Sequence, residues 1–207
     1  MLAAKREIPV YAKAAKTNNW KNRSQYGGDE IRGKTLGILG LGNIGQRVAE
    51  LAIAFGMKVQ YWNRTPKDAP YQQVDFDTLL ATSDIISLHL PQVPATHHLI
   101  NAAAFQKMKP TALLVNTARG SIIEETALVA ALKNQTIAGF AADVLYNEPP
   151  VDNHPLFQFS NVLITPHTAS LTALTFNEMC VVTVKNLVSF LGGESIDERF
   201  VFNREAF

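Results

Sequence analysis

The most constraining feature of the sequence is an apolar run that breaks into three closely spaced glycines, Thr35-Leu-Gly-Ile-Leu-Gly-Leu-Gly-Asn-Ile-Gly45. Its apolar part suits a strand buried on both faces of a sheet. Gly40 allows a tight turn out of that strand, Gly42 lets a pyrophosphate approach the backbone, and Gly45 lets the next helix pack closely on the sheet. The pattern therefore predicts a strand, a phosphate-binding turn and a helix, in that order.

The helix predicted after the glycines begins near Asn43. It carries apolar residues at helical spacing, namely Ile44, Val48, Leu51, Ala52 and Phe55. The first amides of such a helix have no partner within it and lie at the positive end of its dipole. We therefore expect this terminus to face the phosphates of a bound dinucleotide.

The rest of the chain alternates apolar, strand-like runs with amphipathic segments. Strands are expected over 58–62, 84–89, 111–116, 137–144 and 161–165, and helices over 76–83, 102–108, 124–133 and 171–191. Ser121 has the spacing of a helix cap relative to Glu124. Strands joined by helical crossovers form a parallel sheet covered on both faces. The predicted fold is α/β, a Rossmann-type doubly wound parallel sheet with helices on both faces.

Composition limits the functions open to this chain. With 207 residues and 47% hydrophobic content it can bury a sizeable core, and its net charge of +1 argues against partners held by bulk electrostatics, such as nucleic acid or an acidic membrane. The single cysteine, Cys180, excludes an internal disulfide and is expected to be a small buried residue. The sequence shows no run of membrane-spanning length and no signal-peptide pattern. We therefore expect a cytoplasmic protein with no membrane partner.

The second predicted strand ends in Asn63-Arg64, where a dinucleotide-binding fold usually has an acidic residue for the ribose hydroxyls. Asn63 lies 18 residues after Gly45 and can still hydrogen-bond a hydroxyl. Arg64 either pairs with a 2′-phosphate or is a solvated turn residue. The expected cofactor is NAD or NADP, with a slight lean to NADP or dual use.

Three polar residues follow predicted strands at the edge where ligands bind in parallel sheets: Arg119, Glu148 and His167. An arginine fork binds a carboxylate and polarises a carbonyl, and a histidine donates a proton near neutral pH. A neighbouring carboxylate favours the imidazolium and orients its ring. Singly, each has an ordinary explanation: a surface arginine, a solvated loop acid and a satisfied histidine. Together they suit hydride transfer to a 2-oxo acid.

The other histidines give a weaker signal. His89 ends a strand and either touches the cofactor or serves in packing, whereas His97, His98 and His154 are expected at the surface. Their spacing relative to carboxylates forms no credible metal site, so no metal is expected. Whether Trp20 is exposed or docked stays open.

Four ordered segments resemble the D-isomer-specific 2-hydroxyacid dehydrogenases: 33–45, Asn116-Thr-Ala-Arg-Gly120, Asp143-Val…Glu148-Pro-Pro150 and Pro166-His167. Their order and spacing are far more specific than any one of them. The resemblance implies an NAD(P)-dependent oxidoreductase that interconverts a D-2-hydroxy acid and a 2-oxo acid of phosphoglycerate, glycerate/glyoxylate or lactate type. The alternative is a non-catalytic nucleotide-sensing or interaction module with the same fold.

The resemblance also implies residue roles. Arg119 would bind the substrate carboxylate and carbonyl, His167 would act as general acid and base, and Glu148 would pair with His167. The implied cofactor contacts are Asp143 and the backbone around Thr117 at the carboxamide, the amides of Asn43 and Ile44 at the pyrophosphate, and a lining that includes His89, Pro91 and Thr96.

Members of this family carry a substrate domain ahead of the cofactor domain, and the resemblance implies that most of that domain is missing from this sequence. Residues 1–32 resemble the linking helix and arm, 33–192 the dinucleotide-binding domain, and 193–207 the return segment of the missing substrate domain. The resemblance further implies a homodimer formed through the cofactor domain, acting on a small-molecule 2-hydroxy or 2-oxo acid.

Overall fold

The structure is a computed structural model that describes residues 1–24 and 27–196. It divides into two compact units, Met1–Pro166 and a second unit that begins at His167. The predicted return segment over 193–207 lies outside the described residues from position 197 onward.

A seven-stranded parallel sheet forms the centre of the first unit. Its strands are β1 (Thr35–Leu39), β2 (Lys58–Trp62), β3 (Gln72–Gln73), β4 (Ile85–Leu88), β5 (Leu113–Asn116), β6 (Gly139–Ala142) and β7 (Val162–Ile164). Their order across the sheet is β3-β2-β1-β4-β5-β6-β7, and every pairing is parallel. The predicted doubly wound fold is confirmed. The strand order reverses between β1 and β4, which is where ligands bind in such sheets.

Six of the α-helices described belong to the first unit and one to the second. They are α1 (Leu2–Lys5), α2 (Ile8–Lys16), α3 (Asn43–Ala54), α4 (Phe76–Thr82), α5 (Ala102–Lys107), α6 (Glu125–Lys133) and, in the second unit, α7 (Ala173–Leu191). Two hydrophobic clusters form the core of the first unit. Strand residues alternate between them, with Ile86 and Leu114 in one and Ile85 and Val115 in the other. This alternation shows that both faces of the sheet are covered.

Two local predictions differ from the structure. Ser121 does not cap α6, because the residue at its N-cap is Glu124, and Ser121 lies in a 3₁₀ turn over Gly120–Ile122. The apolar face predicted for α3 is only partly buried: Leu51 and Phe55 are about half exposed. The buried residues of α3 are the small ones, Gly45, Ala49 and Ala52, because close packing of a helix on a sheet selects small side chains.

The second unit contains α7, which has no buried residue in the described chain. Cys180 is exposed, so its predicted burial is wrong. Helical periodicity identifies an apolar face, but it does not specify what covers that face. Contrary to the sequence expectation, α7 also has the length, 19 residues, and the mean hydropathy, 1.2, of a membrane-crossing helix. A single helix that meets these criteria is a weak indication.

Candidate active site

The glycine-rich turn joins β1 to α3 at the carboxyl edge of the sheet. Gly40 has φ of +101°, and a Cβ there would lie 2.8 Å from the carbonyl oxygen of His89. A Cβ at Gly45 would lie 2.3 Å from the carbonyl oxygen of Gly40. Packing therefore requires glycine at both positions.

Gly42 differs from its two neighbours because a Cβ there would meet nothing within 4 Å. Gly42 is also the N-cap of α3 and supplies no side-chain cap, so the first amides of the helix, those of Asn43 and Ile44, can bind an anion. Open space beside these amides fits a pyrophosphate. The turn therefore has the shape and polarity that a dinucleotide cofactor needs.

Asn63, just beyond β2, is tied to the glycine-rich turn. Its Oδ1 accepts a hydrogen bond from the Leu41 amide at 2.7 Å. Among the described residues, its Nδ2 group has no hydrogen-bond partner, so Asn63 is disposed to donate to a ligand. Arg64 is exposed and forms no ion pair within the described chain. An uncompensated cation thus follows β2, where an acidic residue would favour ribose hydroxyls.

The segment after β4 carries three of the predicted cofactor contacts. His89 lies with its Nε2 2.9 Å from the Ser87 hydroxyl, and burial lowers the pKa of His89 to about 4, so the ring is neutral at pH 7. The Thr96 hydroxyl lies 2.6 Å from the carbonyl oxygen of Pro91 and accepts from the Val93 amide at 3.1 Å. Thr96 therefore shapes the loop that begins at the exposed Pro91.

Arg119 lies in a turn built by the buried Asn116 at the end of β5. The Asn116 amide nitrogen donates to the carbonyl oxygen of Arg119 at 2.9 Å, and its oxygen accepts from the Ala118 amide at 3.0 Å. Asn116 thus organises this turn with its side chain, as asparagine commonly does. The Arg119 and Thr117 side chains are exposed at the same edge. Sequence reasoning missed the role of Asn116, although an asparagine directly after a strand is its signal.

Asp143 and Glu148 follow β6, the next strand. Asp143 is buried and accepts a hydrogen bond from the Thr165 hydroxyl. Glu148 is exposed, and its Oε1 accepts from the Leu145 amide at 2.7 Å. A Cβ at Gly120 would lie 2.0 Å from the Leu145 carbonyl oxygen, so the loops after β5 and β6 are in backbone contact.

His154 is buried, which corrects the expectation that it lies at the surface. Its Nδ1 accepts from the Leu156 amide at 3.3 Å and its Nε2 lies 3.2 Å from Glu125 Oε2. His97 is exposed and stacks on the half-buried His98, with ring centroids 3.9 Å apart. Burial of His154 results from folding of the β6–β7 loop onto α6, which no local pattern predicts. Within the described residues, no group of three or more metal-ligating side chains is found.

His167 is the first residue of the second unit and is exposed. Its φ of 52° lies in the left-handed region, which is uncommon for residues other than glycine. The first unit by itself brings the glycine-rich turn, His89, Arg119 and Glu148 to the carboxyl ends of β1, β4, β5 and β6.

A doubly wound sheet with an open, uncapped phosphate-binding turn at its switch point defines a dinucleotide-binding domain. More narrowly, the chain belongs to the family of the D-isomer specific 2-hydroxyacid dehydrogenase NAD binding domain, whose sequence model matches residues 1–169. The resemblance noted in the sequence is therefore confirmed.

Known proteins support this assignment. The chain is 47% identical over 174 residues to a glyoxylate reductase of Aeropyrum pernix, covering 81% of this chain and 51% of that protein. It is 38% identical to a D-3-phosphoglycerate dehydrogenase of Archaeoglobus fulgidus, covering 93% of this chain and 37% of the relative. A solved acyclic imino acid reductase in complex with NADPH and D-Arg superposes with a TM-score of 0.87 at 34% identity, covering 94% and 63% of the two chains.

The chain spans about half the length of the glyoxylate reductase it resembles. The family model describes an NAD binding domain, and one structural neighbour is in complex with NADPH, so a nicotinamide cofactor, NAD or NADP, is consistent with both findings.

Proposed function

We propose that this chain binds a nicotinamide dinucleotide at the carboxyl edge of its sheet and, in a complete enzyme, takes part in hydride transfer between a D-2-hydroxy acid and a 2-oxo acid. The observation that carries the proposal is the turn at Gly42, where open space adjoins the uncapped amides of Asn43 and Ile44. Arg119 and Glu148 follow neighbouring strands at the same edge, which supports a substrate site there.

In this proposal the bound cofactor supplies or accepts the hydride. Arg119 binds the substrate carboxylate through its guanidinium fork and polarises the carbonyl. His167 donates a proton to the carbonyl oxygen during reduction and removes it during oxidation. Glu148 favours the protonated form of that histidine. Asp143 and the backbone at Thr117 orient the carboxamide of the cofactor.

The end of β2 supports a preference for NADP. Asn63 presents its Nδ2 group as a donor, and the exposed Arg64 has no carboxylate partner among the described residues. Both groups suit the oxygens of a 2′-phosphate, which a guanidinium binds through charge-assisted bonds. We expect the Arg64→Ala substitution to weaken NADPH binding at least tenfold and NADH binding less than twofold. Arg47→Ala, which removes another exposed arginine, is the matched control.

Titration calorimetry of the full chain with NADH and NADPH tests cofactor binding. Gly42→Ala is expected to weaken binding at least tenfold, because its methyl group enters the space assigned to the pyrophosphate. The thermal midpoint should stay unchanged, because nothing lies within 4 Å of that position. If neither dinucleotide binds at millimolar concentration, the proposal is wrong.

The substrate class proposed is small 2-hydroxy and 2-oxo acids of the phosphoglycerate, glycerate/glyoxylate or lactate type. Reduction of glyoxylate, hydroxypyruvate and pyruvate by the longest natural product of the gene is the assay. Cofactor binding without reduction of any of the three would favour the non-catalytic sensing or interaction module.

A homodimer formed through the cofactor domain and its N-terminal arm is also proposed, in a soluble cytoplasmic protein. The arm supports this, because Ile8 and Val10 of α2 are about half exposed and Trp20 is 63% exposed. Large apolar side chains on an arm suit burial against a second copy. Sedimentation equilibrium should give twice the chain mass. A protein that stays monomeric when its concentration is raised 50-fold would contradict the proposal.

A further inference from the structure

The loops that carry Arg119 and Glu148 touch directly at one point. The backbone at Gly120 lies so close to Leu145 that a Cβ would sit 2.0 Å from the Leu145 carbonyl oxygen. Leu145 in turn donates its amide to Glu148 Oε1 at 2.7 Å. The residue that holds the Glu148 carboxylate is therefore in contact with the residue that follows Arg119.

A second connection joins the same two segments farther along the chain. Glu125 is the first residue of α6, which follows the Arg119 loop, and His154 lies six residues after Glu148 in the β6–β7 loop. Their side chains meet at 3.2 Å, between Glu125 Oε2 and His154 Nε2. The histidine side chain is only 6% exposed and the glutamate side chain 33% exposed. This contact is therefore largely removed from solvent.

The hydrogen bonds of His154 determine which ring nitrogen carries its proton. Nδ1 accepts from the Leu156 amide at 3.3 Å and so caps the 3₁₀ turn over Pro155–Gln158. The proton of the neutral ring must then be on Nε2, which donates to Glu125. The ring also packs against Phe157, with centroids 5.3 Å apart. Both nitrogens of this buried ring are satisfied, one within its own loop and one across to α6.

We infer that Glu125 and His154 are positioning residues that hold the Glu148 loop in register with the Arg119 loop. The inference rests on the proposed function for the roles of Arg119 and Glu148. Direct backbone contact at Gly120 prevents closer approach of the loops, whereas the Glu125–His154 bond prevents their separation. Acting together, the two contacts set the spacing between the Arg119 guanidinium, which is proposed to bind the substrate, and the Glu148 carboxylate, which is proposed to support the proton donor.

The variants separate this bond from the other role of His154. His154→Asn can keep the cap, because the amide oxygen it introduces can accept from the Leu156 amide, but the shorter side chain does not reach Glu125. Glu125→Ala removes the acceptor, and Glu125→Gln keeps an acceptor oxygen without the charge. Lys107→Ala breaks an exposed ion pair, Lys107 to Asp77 at 2.6 Å, and is the matched control.

Hydrogen exchange of the Leu145 amide, measured by NMR on the full chain, reports the loop without requiring turnover. Glu125→Ala and His154→Asn should each raise its exchange rate at least tenfold, and the double variant should add little to either, because both remove one bond. Glu125→Gln and Lys107→Ala should match the wild type. The Ser87 amide in β4 should not change, since a change there would indicate global destabilisation. Unaltered Leu145 exchange in both variants would overturn the inference.

The catalytic measurement uses reduction of glyoxylate with NADPH by the longest natural product of the gene carrying the same substitutions, well below the melting temperatures of the variants. We expect Glu125→Ala and His154→Asn to lower kcat/KM at least tenfold with NADPH affinity unchanged, and Glu125→Gln and Lys107→Ala to keep the wild-type kcat/KM. Faster Leu145 exchange with unaltered kcat/KM would show a purely structural bond and refute the positioning role. A wild type that binds no dinucleotide refutes the proposed function instead, and the exchange measurement still decides whether the pair holds the loop.

Discussion

His89 makes the free energy of unfolding of this protein depend on pH, and the size of the effect follows from the burial of its ring. His89 directly follows β4, with its backbone carbonyl against Gly40 of the glycine-rich turn, and burial of the ring lowers its pKa to about 4 from the usual 6.5. Because the folded pKa is the lower one, the unfolded chain binds the proton more readily. Stability is therefore complete above pH 6.5 and falls as the pH drops towards 4.

The magnitude follows from the difference between the two pKa values. Each pKa unit corresponds to about 1.4 kcal/mol, so the full effect is about 3 kcal/mol below pH 4. At pH 5.0 the loss relative to pH 7.5 is about 2 kcal/mol. His89→Gln removes the titration and can keep a partner for the Ser87 hydroxyl, which lies 2.9 Å from His89 Nε2.

Urea unfolding at pH 7.5 and 5.0, followed by circular dichroism, measures this effect. The wild type should lose about 2 kcal/mol more than His89→Gln between the two pH values, while carboxylate titrations are common to both proteins and cancel. His97→Gln replaces an exposed histidine and should behave as the wild type does. If His89→Gln loses as much stability as the wild type on acidification, the reasoning about His89 is refuted.

Three further predictions address packing, surface charge and catalysis. Gly45→Ala should lower the free energy of unfolding by about 2–3 kcal/mol, because the added methyl lies 2.3 Å from a backbone oxygen. A variant as stable as the wild type in urea unfolding would contradict this packing. Asp29→Asn should cost less than about 1 kcal/mol at pH 7, because the half-exposed Asp29 pairs with Lys5 and Lys34 at 3.0 Å. Hydrogen bonds from Lys34 and Lys5 lower the pKa of Asp29 to about 2, so this difference should shrink as the pH falls from about 4 through 2 in urea titrations, and a constant difference would count against it. In the intact enzyme, His167→Ala should lower turnover at least 100-fold with NADPH affinity within twofold, and normal turnover would exclude the proposed acid–base role.

Local patterns in the sequence were sufficient to predict the architecture of the sheet and its helices. The apolar run before Gly40 and the glycine spacing predicted the first strand, turn and helix, because burial on both faces and positive φ leave few residue choices. The two-residue strand β3 was not predicted, since it is too short to show a period. Ser121 was misassigned as a cap because a 3₁₀ turn intervenes before α6.

The candidate site was only partly visible in the sequence. The order of Arg119, Glu148 and His167 led to the prediction of their roles, which stays a prediction, and some of the contacts that build the site join residues distant in the chain. Leu41 and Asn63 are 22 residues apart, and their contact depends on the pairing of β1 with β2. No periodicity within either segment contains that information.

By itself, the sequence determined that this chain forms a parallel α/β sheet with a phosphate-binding turn and belongs among the 2-hydroxyacid dehydrogenases, because strand burial, glycine spacing and motif order are local properties. Only the tertiary structure decided that His154 is buried against Glu125, that Asn63 holds the glycine-rich turn, and that Cys180 is exposed. Burial and side-chain partners depend on which distant elements pack together, and a single residue pattern cannot specify its partner.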